Sequence, residues 1–168
     1  MLPDQTYVLC DFETTGVDPD TDRPIEVGLL FCDRKMRVIH AYESLIGYAI
    51  DGLDAVSWDA LRIHKITPPM LKDARTPAQA AKDIHDICSQ IRGRKVLLSD
   101  NAQFEHRFML KLLADDPRPW PFHYCTWDSS LLLEATGVGD PTGVPHRAMG
   151  DVGLLPAAIV DALKRIQS

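Results

Sequence analysis

The sequence predicts an α/β domain in which helices pack on a mixed five-stranded sheet. Three observations predict it. Three β-rich segments come first, helix-like and strand-like segments then alternate, and apolar residues recur at helical spacing in the later stretches. A length of 168 residues suits one domain spanning 1–168, large enough to bury close to 70% of the unfolded surface.

Tyr7–Asp11 opens the sheet. Its apolar run Tyr7-Val8-Leu9-Cys10 leads into Asp11-Phe12-Glu13-Thr14-Thr15-Gly16, which reads as a strand ending in two carboxylates and a turn. Residues 17–23, Val-Asp-Pro-Asp-Thr-Asp-Arg, form a turn-rich loop. Pro24–Cys32 and Met36–Leu45 are the next strands, joined as a hairpin by the polar Asp33-Arg34-Lys35. A short helix is expected over Asp54–His64. Thr76 is the N-cap and Pro77 the first position of a longer helix, with Ala81, Ile84, Ile87, Cys88 and Ile91 on one face until Gly93 stops it. Val96–Ser99 is the fourth strand, followed by a helix near Phe104–Ala114 with Phe104, Phe108, Met109 and Leu112 inward. Residues 115–123 form a Pro- and Asp-rich loop, Tyr124–Trp127 a weak fifth strand and Ser129–Thr136 a short helix, before a Gly/Pro loop through 145. Val152, Leu155, Ile159, Leu163 and Ile166 give the closing helix its apolar face. Pro156 inside that helix removes a backbone bond and clashes with the preceding turn, at about 3 kcal/mol, so a kink or a restart is expected there.

With 45% apolar and 25% charged residues the composition is that of an ordinary globular protein. No apolar run reaches membrane-spanning length and the N-terminus lacks a basic-then-apolar pattern, so neither a membrane span nor secretion is expected. Cys10, Cys32, Cys88 and Cys125 are scattered without a C-x-x-C pair. They read as small buried hydrophobes in a reducing compartment, which fits the cytoplasm. A net charge of −6 argues against broad, nonspecific duplex binding. It does not exclude an enzyme that grips a few nucleotides at a strand end.

Asp11 and Glu13 lie two apart on a strand, so both point to one face, roughly 6–7 Å apart. Two hard anions at that separation can share a pair of oxygen-loving cations about 3.5–4 Å apart, an arrangement suited to displacing phosphate esters. Taken alone, a solvated acidic strand end explains the segment equally well. Two further segments raise the case for chemistry: Asn101-Ala102-Gln103-Phe104-Glu105 after an apolar run, and His146-Arg147-Ala148-Met149-Gly150-Asp151 before the closing helix. Asp151, early in a helix, can also serve as a cap.

Together the three segments resemble the DEDDh (DnaQ-like) 3′–5′ exonuclease family. Its motifs are D-x-E-T-T-G, N-A-x-F-D, and a His and an Asp five positions apart. Pro24-Ile25-Glu26-Val27-Gly28 and Ile63-His64-Lys65-Ile66-Thr67 also look like it, and the likeness covers most of the chain. The resemblance implies a ribonuclease H-like fold. It further implies an exonuclease that releases nucleoside 5′-monophosphates from single-stranded 3′ ends, with two Mg²⁺ or Mn²⁺ ions held by Asp11, Glu13, Glu105 and Asp151. His146 is then the general base, since imidazole takes up a proton near neutral pH. Its five-residue step to Asp151 is about 140° on a continuous helix, so His146 is expected on the loop after Pro145. Phe12, Thr14 and Thr15 would bind the terminal sugar through backbone amides and hydroxyls, and His64 would lie by the terminal nucleotide. Arg107 and Arg147 fall near enough to the motifs to touch phosphate.

Glu105 departs from the family, which places Asp there; the extra methylene reaches about 1.5 Å farther. Asp100, on the other side of Asn101, is expected to be misplaced as a substitute. The expected partners are single-stranded 3′ ends of DNA or RNA and a polymerase or other replication or repair protein, with no membrane. Nothing reads for or against a 2′-hydroxyl. From another class, a domain that has lost turnover and serves as a nucleic-acid or protein binding module is favoured by Glu105 and opposed by His146.

Overall fold

The computed structural model describes residues 4–48, 58–139 and 147–167. Its strands are β1 (Gln5–Thr14), β2 (Pro24–Cys32), β3 (Val38–Leu45), β4 (Arg94–Ser99) and β5 (Trp127–Asp128). Its helices are α1 (Trp58–His64), α2 (Pro77–Gln90), α3 (Ala102–Leu113), α4 (Ser130–Thr136) and α5 (Ala148–Gln167). The expected mixed sheet forms in the order β3-β2-β1-β4-β5. β1 pairs antiparallel with β2 and parallel with β4, while β2–β3 is antiparallel and β4–β5 parallel.

Alternation along the central strand sorts the two layers. Val8, Cys10 and Phe12 point into a core shared with Ala80, Ala81 and Ile84 of α2 and with Phe108, Met109 and Leu112 of α3. Leu9 points to the other side, into a core with Val152, Leu155, Ile159 and Ala162 of α5. Both faces of the middle of the sheet are therefore covered, and every residue of β2 is buried. Cys10, Cys32 and Cys88 are buried as small hydrophobes; Cys125 is partly exposed. No described helix is long and apolar enough to cross a membrane.

Several boundaries move. β1 runs on to Thr14, because its last residues still pair with β2 after β4 has ended. The hairpin turn extends to Arg37, with Met36 in the left-handed region at φ 58°, so β3 starts at Val38. The fifth strand is Trp127–Asp128 rather than Tyr124–Trp127. α2 is capped as expected: Thr76 Oγ1 accepts the Gln79 amide at 3.2 Å, and Gln79 Oε1 accepts the Thr76 amide at 3.0 Å. α5 neither restarts nor stops at Pro156 but continues through it. The burial of Val152, Leu155, Ala158, Ile159 and Ala162 along one face outweighs a penalty of about 3 kcal/mol. Of the expected first helix, residues 54–57 lie outside the described residues.

Candidate active site

The β1–β4 ladder ends at Leu9↔Leu98, whereas β1 remains paired with β2 to its end. Residues 10–14 thus project past β4, leaving one edge of the strand open. Asp11 and Glu13 share the face toward α5, with Gly28 and Glu26 of β2 directly opposite them. Gly28 is needed there. A Cβ at that position would lie 2.6 Å from the Ala148 carbonyl carbon and 2.8 Å from the Met149 amide nitrogen. Its absence lets the start of α5 press against the sheet opposite Asp11.

Glu26 fixes that helix end. Fully buried, its carboxylate accepts both the Nε and an Nη2 bond from Arg147 and, at 3.0 Å, the backbone amide of Ala148. One carboxylate thereby satisfies an otherwise orphaned helix-start donor and pairs a guanidinium in a two-pronged contact. Asp151 follows one turn later, its amide donating to Arg147 O at 2.9 Å, and its carboxylate turns toward β1. Ligand oxygens of Asp11, Glu13 and Asp151 all lie within 4.8 Å of one another.

The electrostatics of this trio follow from crowding. Asp11 is held well above the usual carboxylate range, first by burial and then by the charges of Glu13, Asp100, Asp151 and Glu26. Burial likewise raises Glu13 to about 7, with Glu26 and Asp151 adding to the rise and Arg147 opposing it. Among the described residues neither Asp11 nor Glu13 makes an ion pair. Buried like charges cannot all ionise without a cation. Close-set oxygen donors of this kind fit a hard divalent ion. Asp11, Glu13 and Asp151 are the residues that would hold it.

Glu105 stands beside the trio rather than within it. It comes from α3, in the layer on the other face of the sheet, and reaches round the open edge of β1. One oxygen takes the Phe12 amide, a donor without a β4 partner, while Oε2 is buried without a hydrogen bond. Burial raises its carboxyl well above the usual range, with further contributions from Asp11, Asp100 and Glu13. Asp100 is not among the clustered carboxylates, although its charge acts on both Asp11 and Glu105.

The expected substrate contacts fare unevenly. Phe12 is a core side chain, and its amide is already engaged by Glu105. Thr14 Oγ1 donates to Gly16 O at 2.6 Å. Thr15 Oγ1 donates to Asp22 and accepts the Arg23 amide at 3.0 Å, stitching the 16–23 loop. Both hydroxyls are therefore turned inward to the chain. Arg147 serves Glu26 rather than standing free for phosphate, and Arg107 makes loose contacts of 3.7 and 4.0 Å to Asp18 and Asp20. His64 is buried, accepts the Ile66 amide at Nδ1 at 2.9 Å, and carries an unsatisfied Nε2. Burial lowers its pKa, which a contact with the Thr14 backbone and the charge of Glu26 partly offset. His146 lies outside the described residues.

Three positions matter more than the sequence signalled. Glu26 and Gly28 build the seat of α5, though nothing local marks them as more than strand residues. Asp128 organises the second motif: its carboxylate accepts the Ala102 amide at the start of α3, at 3.1 Å, and the Ser130 amide of α4 at 2.9 Å. An Asp just before an apolar helical run is a capping signal that could have found it.

Known proteins share this architecture. The family model RNase_T, an exonuclease family, matches residues 8–155. An oligoribonuclease of Neisseria meningitidis serogroup B is 27% identical over 158 residues, covering 84% of this chain and 82% of that protein. A PolC-type DNA polymerase III of Thermotoga maritima is 29% identical over 109 residues, 63% of this chain but only 7% of the polymerase. The E. coli ExoI–ssDNA complex, in its zinc-bound form, superposes with a TM-score of 0.77 at 20% identity, over 98% of this chain and 42% of that one. The chain thus spans a small part of the polymerase and under half of ExoI. The last likeness shows the fold, which is ribonuclease H-like.

Proposed function

This chain belongs to the RNase_T exonuclease family, and from that premise we propose that it is a metal-dependent 3′–5′ exonuclease. It hydrolyses the terminal phosphodiester of a single strand and releases nucleoside 5′-monophosphates. The observation that carries this reading is the convergence of Asp11, Glu13 and Asp151 within 4.8 Å. Two divalent ions, when bound, supply Lewis acidity that activates water and neutralises the departing oxygen.

The chain's own residues do the rest. Asp11 and Glu13 present oxygens from the rigid central strand, and Asp151 from a helix end anchored by Glu26, so the carboxylates are held in place before substrate arrives. Glu105 completes the acidic set from α3. His146 takes the proton of the attacking water; it directly precedes Arg147, whose side chain is bound to Glu26. His64, whose buried Nε2 lacks a hydrogen-bond partner, lies by the terminal nucleotide. Thr14 and Thr15 shape the pocket floor through the loop they tie down, and Phe12 supports it from the core.

A binding module without turnover is the second reading, favoured by Glu105 in place of the family's Asp. Stepwise shortening of 5′-labelled single-stranded DNA and RNA, with mononucleotides released, separates the two. The enzyme reading expects release with Mg²⁺ or Mn²⁺, none with chelator, and a loss of at least about a hundredfold in His146→Ala. Absence of release with either metal, alongside capture of a protein partner, would overturn it. The oligoribonuclease and polymerase relatives make short RNA and replicating DNA the first substrates to compare.

A further inference from the structure

We infer that the end of the sheet opposite the carboxylates is a docking surface for the phosphate backbone of single-stranded nucleic acid, gripping the strand 5′ of the reacting end. This deepens the proposed function, on which it rests for the class of its ligand. A shallow cavity of about 410 Å³ opens there between the start of β1, the 33–37 turn and the 91–94 turn. Arg34, Lys35, Arg37 and Arg92 line it, on a chain whose net charge is −6. Of its two acids, Asp33 is consumed internally: it accepts the Lys35 and Arg37 amides at 2.8 and 3.1 Å and pairs with the Arg37 guanidinium. That contact turns Arg34 and Lys35 outward. Among the described residues Arg34, Lys35 and Arg92 make no ion pair.

Both turns are fixed to β1. Gly93 has φ 83°, and a Cβ there would fall 2.6 Å from the Asp4 carbonyl oxygen; the Arg94 amide donates to that same oxygen at 2.9 Å. The cations are thus fixed at their base and mobile at their tips. They spread over two turns instead of converging on one point, and the buried Thr6 hydroxyl beside them is spent on the Arg92 carbonyl, at 3.4 Å. Such a set suits a run of phosphates that release counterions, not one small anion. Ile39, half-exposed beside them, offers an apolar wall to a base. From Gln5 to Asp11 the strand runs about 20 Å, so a dinucleotide held at the carboxylates cannot reach the patch and a longer strand can.

The test compares wild type with R34S/K35S/R92S and with R34E/K35E, all exposed positions. Fluorescence anisotropy with a labelled single strand of about 16 nucleotides, in chelator and over a range of salt, reads the patch without the metal site. The triple variant is expected to bind at least about tenfold more weakly, with the slope of log K against log salt reduced by about 2. The charge-reversed variant should bind more weakly still. Hydrolysis of a dinucleotide should be unchanged in both. Unaltered affinity and slope would overturn the proposal, as would displacement of the strand by an acidic peptide of equal charge, which would make the patch a protein site. Because binding is measured without metal, failure of the exonuclease reading leaves this result readable.

Discussion

Glu13 and Glu26 face each other across β1 and β2, both buried, yet the chain treats them differently. Glu26 has a guanidinium and a backbone amide of its own. Glu13 clusters with two more carboxylates, Asp11 and Asp151, and is raised to about 7 with only Arg147 opposing. Burial of an acid is therefore not in itself the mark of a site. What distinguishes the trio is that folding brings its charges together without supplying the opposing charge. The Glu26 corner closes the structure; the trio leaves a position for cations to fill.

The sharpest way to break this contrast is Asp11→Asn. Removing one ligand should lower mononucleotide release by about 10³-fold, equivalent to several kcal/mol of lost charge stabilisation. It should also raise the melting temperature of the metal-free protein at neutral to alkaline pH, since repulsion is relieved. Loss of stability as well as activity would show Asp11 to be structural in the sense that Glu26 is.

Glu26→Gln should do the opposite. Breaking the pair costs about 2–3 kcal/mol, at the low end because Arg147 stays partly in water, and thermal unfolding should register a fall of about 5–10 °C. Activity should drop as a consequence, because the start of α5 carries Asp151. An unchanged melting temperature would remove the anchoring role.

Much of this was legible beforehand, and the reasons are specific. Period-two alternation places Asp11 and Glu13 on one face whatever the tertiary context, and the capping signal at Thr76-Pro77 needs no neighbours. Local pattern cannot show that Gly28 stands under a helix arriving some 120 residues later, or that Glu26 meets Arg147 across a separation of 121. The hydroxyls of Thr14 and Thr15 were expected to face substrate. They turn inward because the 16–23 loop has its own backbone donors and acceptors to satisfy. Glu105 fell in the expected neighbourhood but approaches from the opposite layer, a matter of which face α3 covers. Pro156 does not restart the helix because its local penalty is outweighed by burial along α5.

Acidity offers a third way to sharpen the contrast. Asp11, Glu13 and Glu105 are raised in the folded state and ordinary in the unfolded one. Below the ordinary carboxylate range both states are protonated and these three acids impose no penalty. As pH rises through about 7, the level to which burial lifts Glu13, the folded state must ionise and stability is lost. The metal-free protein should therefore melt lower at about pH 8 than at about pH 5.5. Mn²⁺ at a hundredfold excess over its Kd should restore about 5–10 °C at the higher pH and less at the lower, where protons compete. Equal Mn²⁺ effects at both would argue that the carboxylates are not its ligands.

The smallest effect is expected from Glu105→Asp. Shortening the side chain forfeits the Phe12 amide contact, about 1 kcal/mol, read as a drop of about 2–4 °C. Release of mononucleotides should be retained or improved, within about tenfold. Abolished release would promote Glu105 from neighbour to indispensable ligand.

The most direct test of the central claim is anomalous scattering from crystals grown with Mn²⁺ and a nucleoside 5′-monophosphate. Manganese peaks bounded by Asp11, Glu13 and Asp151, with the phosphate completing the coordination, are the predicted result. Fully occupied manganese elsewhere, with those three carboxylates bare, would contradict it.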